Sequence, residues 1–158
     1  MNMNVSHLRL NRIAVLAAEE LLDKNGIANI KIVSDSMEPF IKTGEHLTFR
    51  SKAVCKRPKF GDVILCKQKY KGSLLVHRFY FCRKKNGEYT YFTKADKGLL
   101  FDYPSSEEQY MGIYIKQNER KLLNKIIIFR SIILLPLFVI MTKIKLKDWR
   151  LWKIENKY

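Results

Sequence analysis

A chain of 158 residues, 47% hydrophobic and 28% charged, is one domain's worth of polypeptide, too apolar to be disordered and able to bury a core. Its 30 Lys and Arg against 15 Asp and Glu leave a net charge of +15. That excludes an acidic solvating protein and leaves nucleic acid, an anionic membrane surface or an acidic partner as counterparts. Residues 116–158 carry +8 of this excess, so the C-terminal quarter has an electrostatic character of its own.

Residues 1–26 are predicted to form an amphipathic helix over Ser6–Lys24. Leu10, Ile13, Ala14, Ala17, Leu21 and Leu22 recur at helical spacing, and Ser6 is placed to cap the N-terminus. Asn25-Gly26 is the stop, since glycine accepts the left-handed conformation without a Cβ clash. Glu19, Glu20 and Asp23 interrupt the segment and no small-residue cleavage site follows, so a secretory signal is not expected.

Residues 27–117 read as β. Runs rich in β-branched and aromatic residues (Ile30-Val33, His46-Phe49, Val63-Gln68, Leu74-Cys82, Tyr89-Thr93, Met111-Lys116) alternate with turn signals. Asn86-Gly87 between two of them predicts a tight hairpin. Such spacing without intervening helices predicts a mainly β fold, a small antiparallel barrel or sandwich.

Residues 118–158 form a basic, apolar appendage. Its most apolar run, Ser131–Thr142, has 12 uncharged residues with Pro136 in the middle. That is short of the roughly 20 that cross a bilayer, so no transmembrane helix is expected. Lys121, Lys125 and Arg130 precede the run; Lys143, Lys145, Lys147, Trp149, Arg150 and Trp152 follow it. This describes a segment lying in an anionic membrane interface, or a pair of helices packed on the β core with cations outward; both readings stay open.

Cys55, Cys66 and Cys82 are odd in number and form no paired motif. They predict neither a disulfide framework nor a metal site, but buried free thiols in a reducing compartment. No cofactor is implied.

Three pieces carry chemistry. Ser36, in Ser34-Asp35-Ser36-Met37-Glu38-Pro39, sits where a strand must turn; such a serine is most often only a turn residue. A nucleophilic serine needs a base in reach and donors for the oxyanion. His7 and His46 read as surface residues. His77 lies in the apolar strand Leu74-Leu75-Val76-His77-Arg78-Phe79-Tyr80, sharing a face with Leu75 and Phe79. Such a histidine is usually a hydrogen-bonded core residue. The third piece runs from Tyr91 to Asp102 and bears two acids, Asp96 and Asp102, that normally would be solvated turn formers.

In order along the chain, Ser36-Met37-x-Pro39, Gly44-Glu45, Gly61-Asp62-Val63-Ile64, Val76-His77-Arg78, Thr93-Lys94-x-Asp96 with Asp102, and Met111-Gly112-Ile113-Tyr114 resemble the signal peptidase I family. The resemblance covers about residues 30–117. It is greatest to the archaeal and endoplasmic-reticulum branch, where a histidine replaces the lysine of most bacterial and LexA-like relatives.

The resemblance implies a coiled antiparallel β fold and serine endopeptidase activity on extended precursor peptides with small residues before the cut. Ser36 then matches the nucleophile, His77 the general base and Asp102 the acid of the triad. Ser34 matches a hydroxyl that assists the oxyanion hole, and Asp96 an acid that orders the loop. Met37 and Leu75 are expected to line shallow substrate pockets.

Two departures stand out. Ala95-Asp96-Lys97-Gly98 replaces the family's Gly-Asp-Asn-Asn, which bears on the position of Asp102, and an amphipathic helix stands where the family has an N-terminal anchor. The second favours the cytoplasmic face of a membrane, or the cytoplasm itself, and a leader peptide other than that of exported preproteins. The rival reading keeps the fold without catalysis, the basic tail contacting anionic lipid or nucleic acid. No helix-turn-helix, zinc knuckle or aromatic-basic RNA motif supports nucleic acid.

Overall fold

The computed structural model describes residues 3–55, 57–68, 72–115 and 121–155. Helix α1 (Met3–Asn25) leads into β1 (Ile27–Lys31), β2 (His46–Ser51), β3 (Val63–Lys67), β4 (Leu74–Lys85), β5 (Glu88–Lys94), β6 (Ser105–Ser106) and β7 (Tyr110–Tyr114), and α2 (Lys121–Glu155) ends the chain. All strand pairings are antiparallel, in one curled sheet of order β1-β2-β7-β3-β4-β5-β6. Among the described residues the molecule is mainly β, as its strand spacing predicts, and carries two helices.

Strand β3 is central and sealed on both faces. Alternation sends Val63 and Leu65 into a cluster with Leu47, Phe49 and Met111, while Ile64 and Cys66 join Phe79, Tyr91 and Tyr110. A strand buried on both sides reads as an unbroken apolar run, which is what Val63-Ile64-Leu65-Cys66 is. The Asn86-Gly87 hairpin is as expected: both residues have positive φ, 52° and 87°, and Lys85 pairs with Glu88.

Several boundaries differ from expectation. Strand β1 starts at Ile27, not Ile30, because its pairing with β2 runs from Ile27 opposite Arg50 to Lys31 opposite His46. Val33 lies beyond that register and is 84% exposed. Strand β6, Ser105-Ser106, carries too little β propensity to be read from sequence. Lys116, the expected end of the last strand, lies outside the described residues. Of the expected thiols only Cys66 is buried; Cys55 is half-buried and Cys82, on β4, is exposed.

Helix α1 begins at Met3, so Ser6 lies inside it rather than at its cap. The buried stripe is Val15, Ala18 and Leu22, whereas Leu10, Ile13, Leu16 and Leu21 are exposed. The helical period is as predicted but its phase is not. Apolar residues occur all round this helix, and packing against the sheet selects among them.

Helix α2 is one continuous element, not a pair, and it passes through Pro136. Its Leu122–Ile144 segment, with mean hydropathy 2.1, is long and apolar enough to cross a membrane. This overturns the expectation that no segment is long and apolar enough to do so. Lys125 and Arg130 do not interrupt the helix, and the single hydrogen bond that proline removes is outweighed by docking on either side of it. Ser131 and Phe138 are buried there, with Phe138 packed against Tyr80 and Phe101.

Candidate active site

Ser36 lies in the turn that follows β1. Met37, Phe40 and Ile41 are each no more than 3% exposed and pin this turn to the core. Backbone bonds from Glu38 N–H to Asp35 O (3.0 Å) and from Ile41 N–H to Met37 O (2.9 Å) fix its course. The packing holds a short polar segment at the surface while its apolar neighbours are sunk. Ser36 itself is half-buried.

Its hydroxyl is 3.1 Å from His77 Nε2 and 3.2 Å from the hydroxyl of Ser34. His77 stands on β4 opposite Ile64 of β3, two strands that hold it rigidly. Its Nδ1 is 2.6 Å from Asp102 Oδ2. That same carboxylate oxygen accepts from the Thr93 hydroxyl at 2.7 Å, and the Asp102 N–H donates to Thr93 O at 2.9 Å. Asp102 is thus held by side chain and backbone together, and Ser36, His77 and Asp102 form one unbroken relay.

The changed Ala95–Gly98 loop leaves that relay connected. The N–H of Lys97 donates to Ser36 O at 3.0 Å, joining the loop to the serine turn, and Lys97 Nζ is ion-paired with Asp35. This exposed pair lowers the Asp35 pKa and raises that of Lys97, through their hydrogen bond first and their charges second.

Asp96 does not touch the relay. It forms a two-pronged pair with Arg78, Nε to Oδ1 and Nη2 to Oδ2, both 2.7 Å. Both side chains are buried. Arg78 Nη1 donates at 2.7 Å to Gly61 O and to Asn124 Oδ1 of α2, and the guanidinium lies over the Phe40 ring, 4.9 Å from its centroid. One cation therefore ties the serine turn, the acid loop and α2 together. Sequence reading gave Arg78 no role. A charge inside an apolar strand is the signal, since such a charge must find a partner when buried.

Lys94 is the second buried cation, 1% exposed. Its Nζ donates to Ala95 O (2.6 Å) and Gly98 O (2.7 Å) and sits 4.3 Å from the Phe138 ring centroid. The amine thus braces the acid loop from within, while the nitrogen facing Ser36 is that of His77. Burial pushes the Lys94 pKa down to about 8. Its folded value is then below the unfolded one, about 10.4. Between the two, the unfolded chain binds more protons, so this group's contribution to stability rises with pH. The stability of the native chain relative to Lys94→Met is expected to increase by about 1–2 kcal/mol between pH 7.5 and 9.5, measured by chemical denaturation.

Among the expected pocket residues, Leu75 is half-buried and packs against the Ile64–Phe79 cluster. Met37 is 1% exposed in the core, which leaves it no surface to offer a substrate. His46 is exposed, as expected, and the side chain of His7 lies outside the described residues. A cavity of about 420 Å³ lies between α1 and the end of β3, lined by Arg12, Leu16, Lys67 and Gln68 among others, but by none of the relay residues.

No family model matches this chain, and no curated protein matches it either.

Proposed function

We propose that this chain is a signal peptidase-like serine endopeptidase that removes leader or signal segments from precursor peptides. The observation that carries the reading is the relay itself: Ser36 hydroxyl, His77 Nε2, His77 Nδ1 and Asp102 carboxylate in sequence at 3.1 and 2.6 Å. The family's coiled peptidase fold is part of the same proposal. Its support is the agreement of the landmark residues with the curled sheet around them.

In this reading His77 takes the Ser36 proton as the oxygen attacks a peptide carbonyl. The acyl-enzyme forms as His77 returns that proton to the leaving amine, and His77 then activates the water that releases the acid product. Asp102 holds the imidazole in the tautomer that leaves Nε2 free to accept, and stabilises the imidazolium. The Ser34 hydroxyl and the Ser36 backbone N–H serve the developing oxyanion. The substrate adds as an extended strand beside the exposed Val33–Asp35 approach to Ser36, with small residues before the cut. A location at the cytoplasmic face of a membrane fits the basic flanks of α2, since anionic lipid and the bias of Lys and Arg both favour that side.

Asp102→Asn is expected to lower kcat by about 10²–10⁴-fold with KM little changed, because the amide no longer fixes the productive tautomer. Steady-state kinetics on a precursor peptide check this. The experiment that tests the whole reading compares peptide N-termini, by mass spectrometry, in cells carrying the native chain and cells carrying Ser36→Ala. New termini that depend on Ser36 establish a peptidase and reveal its cleavage rule. Identical termini, with the variant stably made, leave the non-catalytic binding module as the better account.

A further inference from the structure

Helix α2 has two apolar sides, and the sheet covers only one. Ile127, Ser131 and Phe138 are buried, with Leu123, Leu134 and Leu135 packed alongside. Leu122, Ile126, Phe129, Ile133, Leu137 and Ile140 are 47–73% exposed. At about 100° per residue this second set falls in a stripe roughly 80° wide, on the side away from the docked residues. A helix docked on a soluble domain carries polar residues on its outer side; this one carries isoleucine, leucine and phenylalanine.

The stripe has charged borders. At the same angular spacing Lys125 and Lys143 fall along one margin and Arg130 along the other, all three exposed. Lys125 and Lys143 are placed to reach the headgroups of a leaflet in which the stripe is sunk, whereas Arg130 donates back to Asp96 O at 3.4 Å; the chain's net charge of +15 favours anionic lipid.

The docked side decides how α2 meets that leaflet. Its contacts run from Asn124, which receives Arg78, through Ser131, which accepts from the Tyr80 hydroxyl at 3.0 Å, to Thr142, which accepts from the Phe101 N–H at 3.0 Å. From Asn124 to Thr142 the helix rises roughly 27 Å, nearly the whole hydrocarbon thickness of a bilayer. A spanning α2 either drags the Arg78–Asp96 pair and Lys94 into hydrocarbon or peels off and strands them.

We infer that α2 is an in-plane membrane anchor: its outer stripe, Leu122 to Ile144, sits in one anionic leaflet and the β sheet rides on its water side. This inference stands apart from the peptidase reading and is tested without any activity.

The full chain is mixed with vesicles of phosphatidylcholine with and without one quarter phosphatidylglycerol and floated at 0.1 and 0.5 M NaCl. Binding is expected to the anionic vesicles and to weaken with salt. Ile133→Glu/Ile140→Glu, on the exposed side only, is expected to lower partitioning by on the order of a hundredfold or more with an unchanged unfolding midpoint.

Nitroxide labels on cysteines introduced one at a time at Leu122, Ile133 and Ile144, with Cys55 and Cys82 replaced by Ser and the buried Cys66 kept, report depth. All three are expected at one shallow depth on the side of addition. Ile133 at the bilayer centre, with the other two at opposite surfaces, overturns the inference in favour of a span. So does binding that the double glutamate variant leaves intact. Failure of the native chain to float, with a lipid-free dimer that the glutamates dissociate, assigns the stripe to a second copy instead.

Discussion

His77→Ala is expected to abolish peptide cleavage as completely as Ser36→Ala, with kcat/KM falling by about 10⁴-fold or more in each variant and no further in the double variant. The distances require this. The Ser36 hydroxyl has one imidazole nitrogen at 3.1 Å, and the buried amine of Lys94, the alternative base, donates to two backbone carbonyls of the acid loop. Removing His77 leaves a protonated alcohol, a weak nucleophile. Removing Ser36 leaves a base with nothing to activate but water. Kinetics of the two single variants and the double variant on one precursor peptide check this, with far-UV circular dichroism confirming that each is folded. Additive losses, or substantial activity in His77→Ala, would remove the triad reading.

The largest effect on stability is expected at a pair that does no chemistry. Asp96→Ala leaves the Arg78 guanidinium buried and short of a carboxylate, which costs about 3–5 kcal/mol. For a domain whose total stability is about 5–15 kcal/mol, that brings it close to unfolding under ordinary conditions. In Arg78→Met/Asp96→Leu no charge is stranded, and most of the loss is expected to be recovered. The remaining deficit, about 1–2 kcal/mol, reflects Gly61 O and Asn124 Oδ1 losing their donor. Chemical denaturation of the three proteins reads both numbers. A loss in Asp96→Ala under 1 kcal/mol would mean that water reaches the guanidinium and that the pair does not tie the loops.

The relay was legible in the sequence because its residues are marked by their neighbours. Ser36 is followed by a proline, His77 interrupts an apolar strand, and Asp102 follows an acid-bearing box. Strand periodicity even placed His77 with Leu75 and Phe79. Arg78 interrupts the same apolar strand, but nothing in the sequence points to its partners, Asp96, Gly61 and Asn124, which lie 17 to 46 residues away and which only the fold assembles. Met37 failed for the opposite reason. Its position beside Ser36 suggested a pocket wall, but a turn that presents a serine must be anchored, and Met37 is the anchor.

The helices were misjudged for one shared cause. α1 and α2 both carry apolar residues around most of their circumference, so period alone cannot say which side meets the sheet. In α1 packing chose Val15 and Ala18 alongside Leu22, the one member of the expected stripe that is buried. In α2 the charged residues counted as interruptions lie within one long helix, along the margins of its apolar stripe. Gly61 records that docking in the sequence: a Cβ there would come within 2.6 Å of the Ile128 side chain.

The bond from the Phe101 N–H to Thr142 has a practical consequence for anyone preparing this protein. The usual way to obtain a tractable sample of a greasy-tailed enzyme is to cut the tail off. Here the cut would open the aromatic nest around Tyr80 and Phe101, take a donor's partner from Arg78, and release the residue immediately before Asp102. A shortened fragment that proved inert would therefore say nothing about Ser36. Purification in detergent with the tail intact is the sounder starting point, and an inactive truncation is a statement about scaffolding.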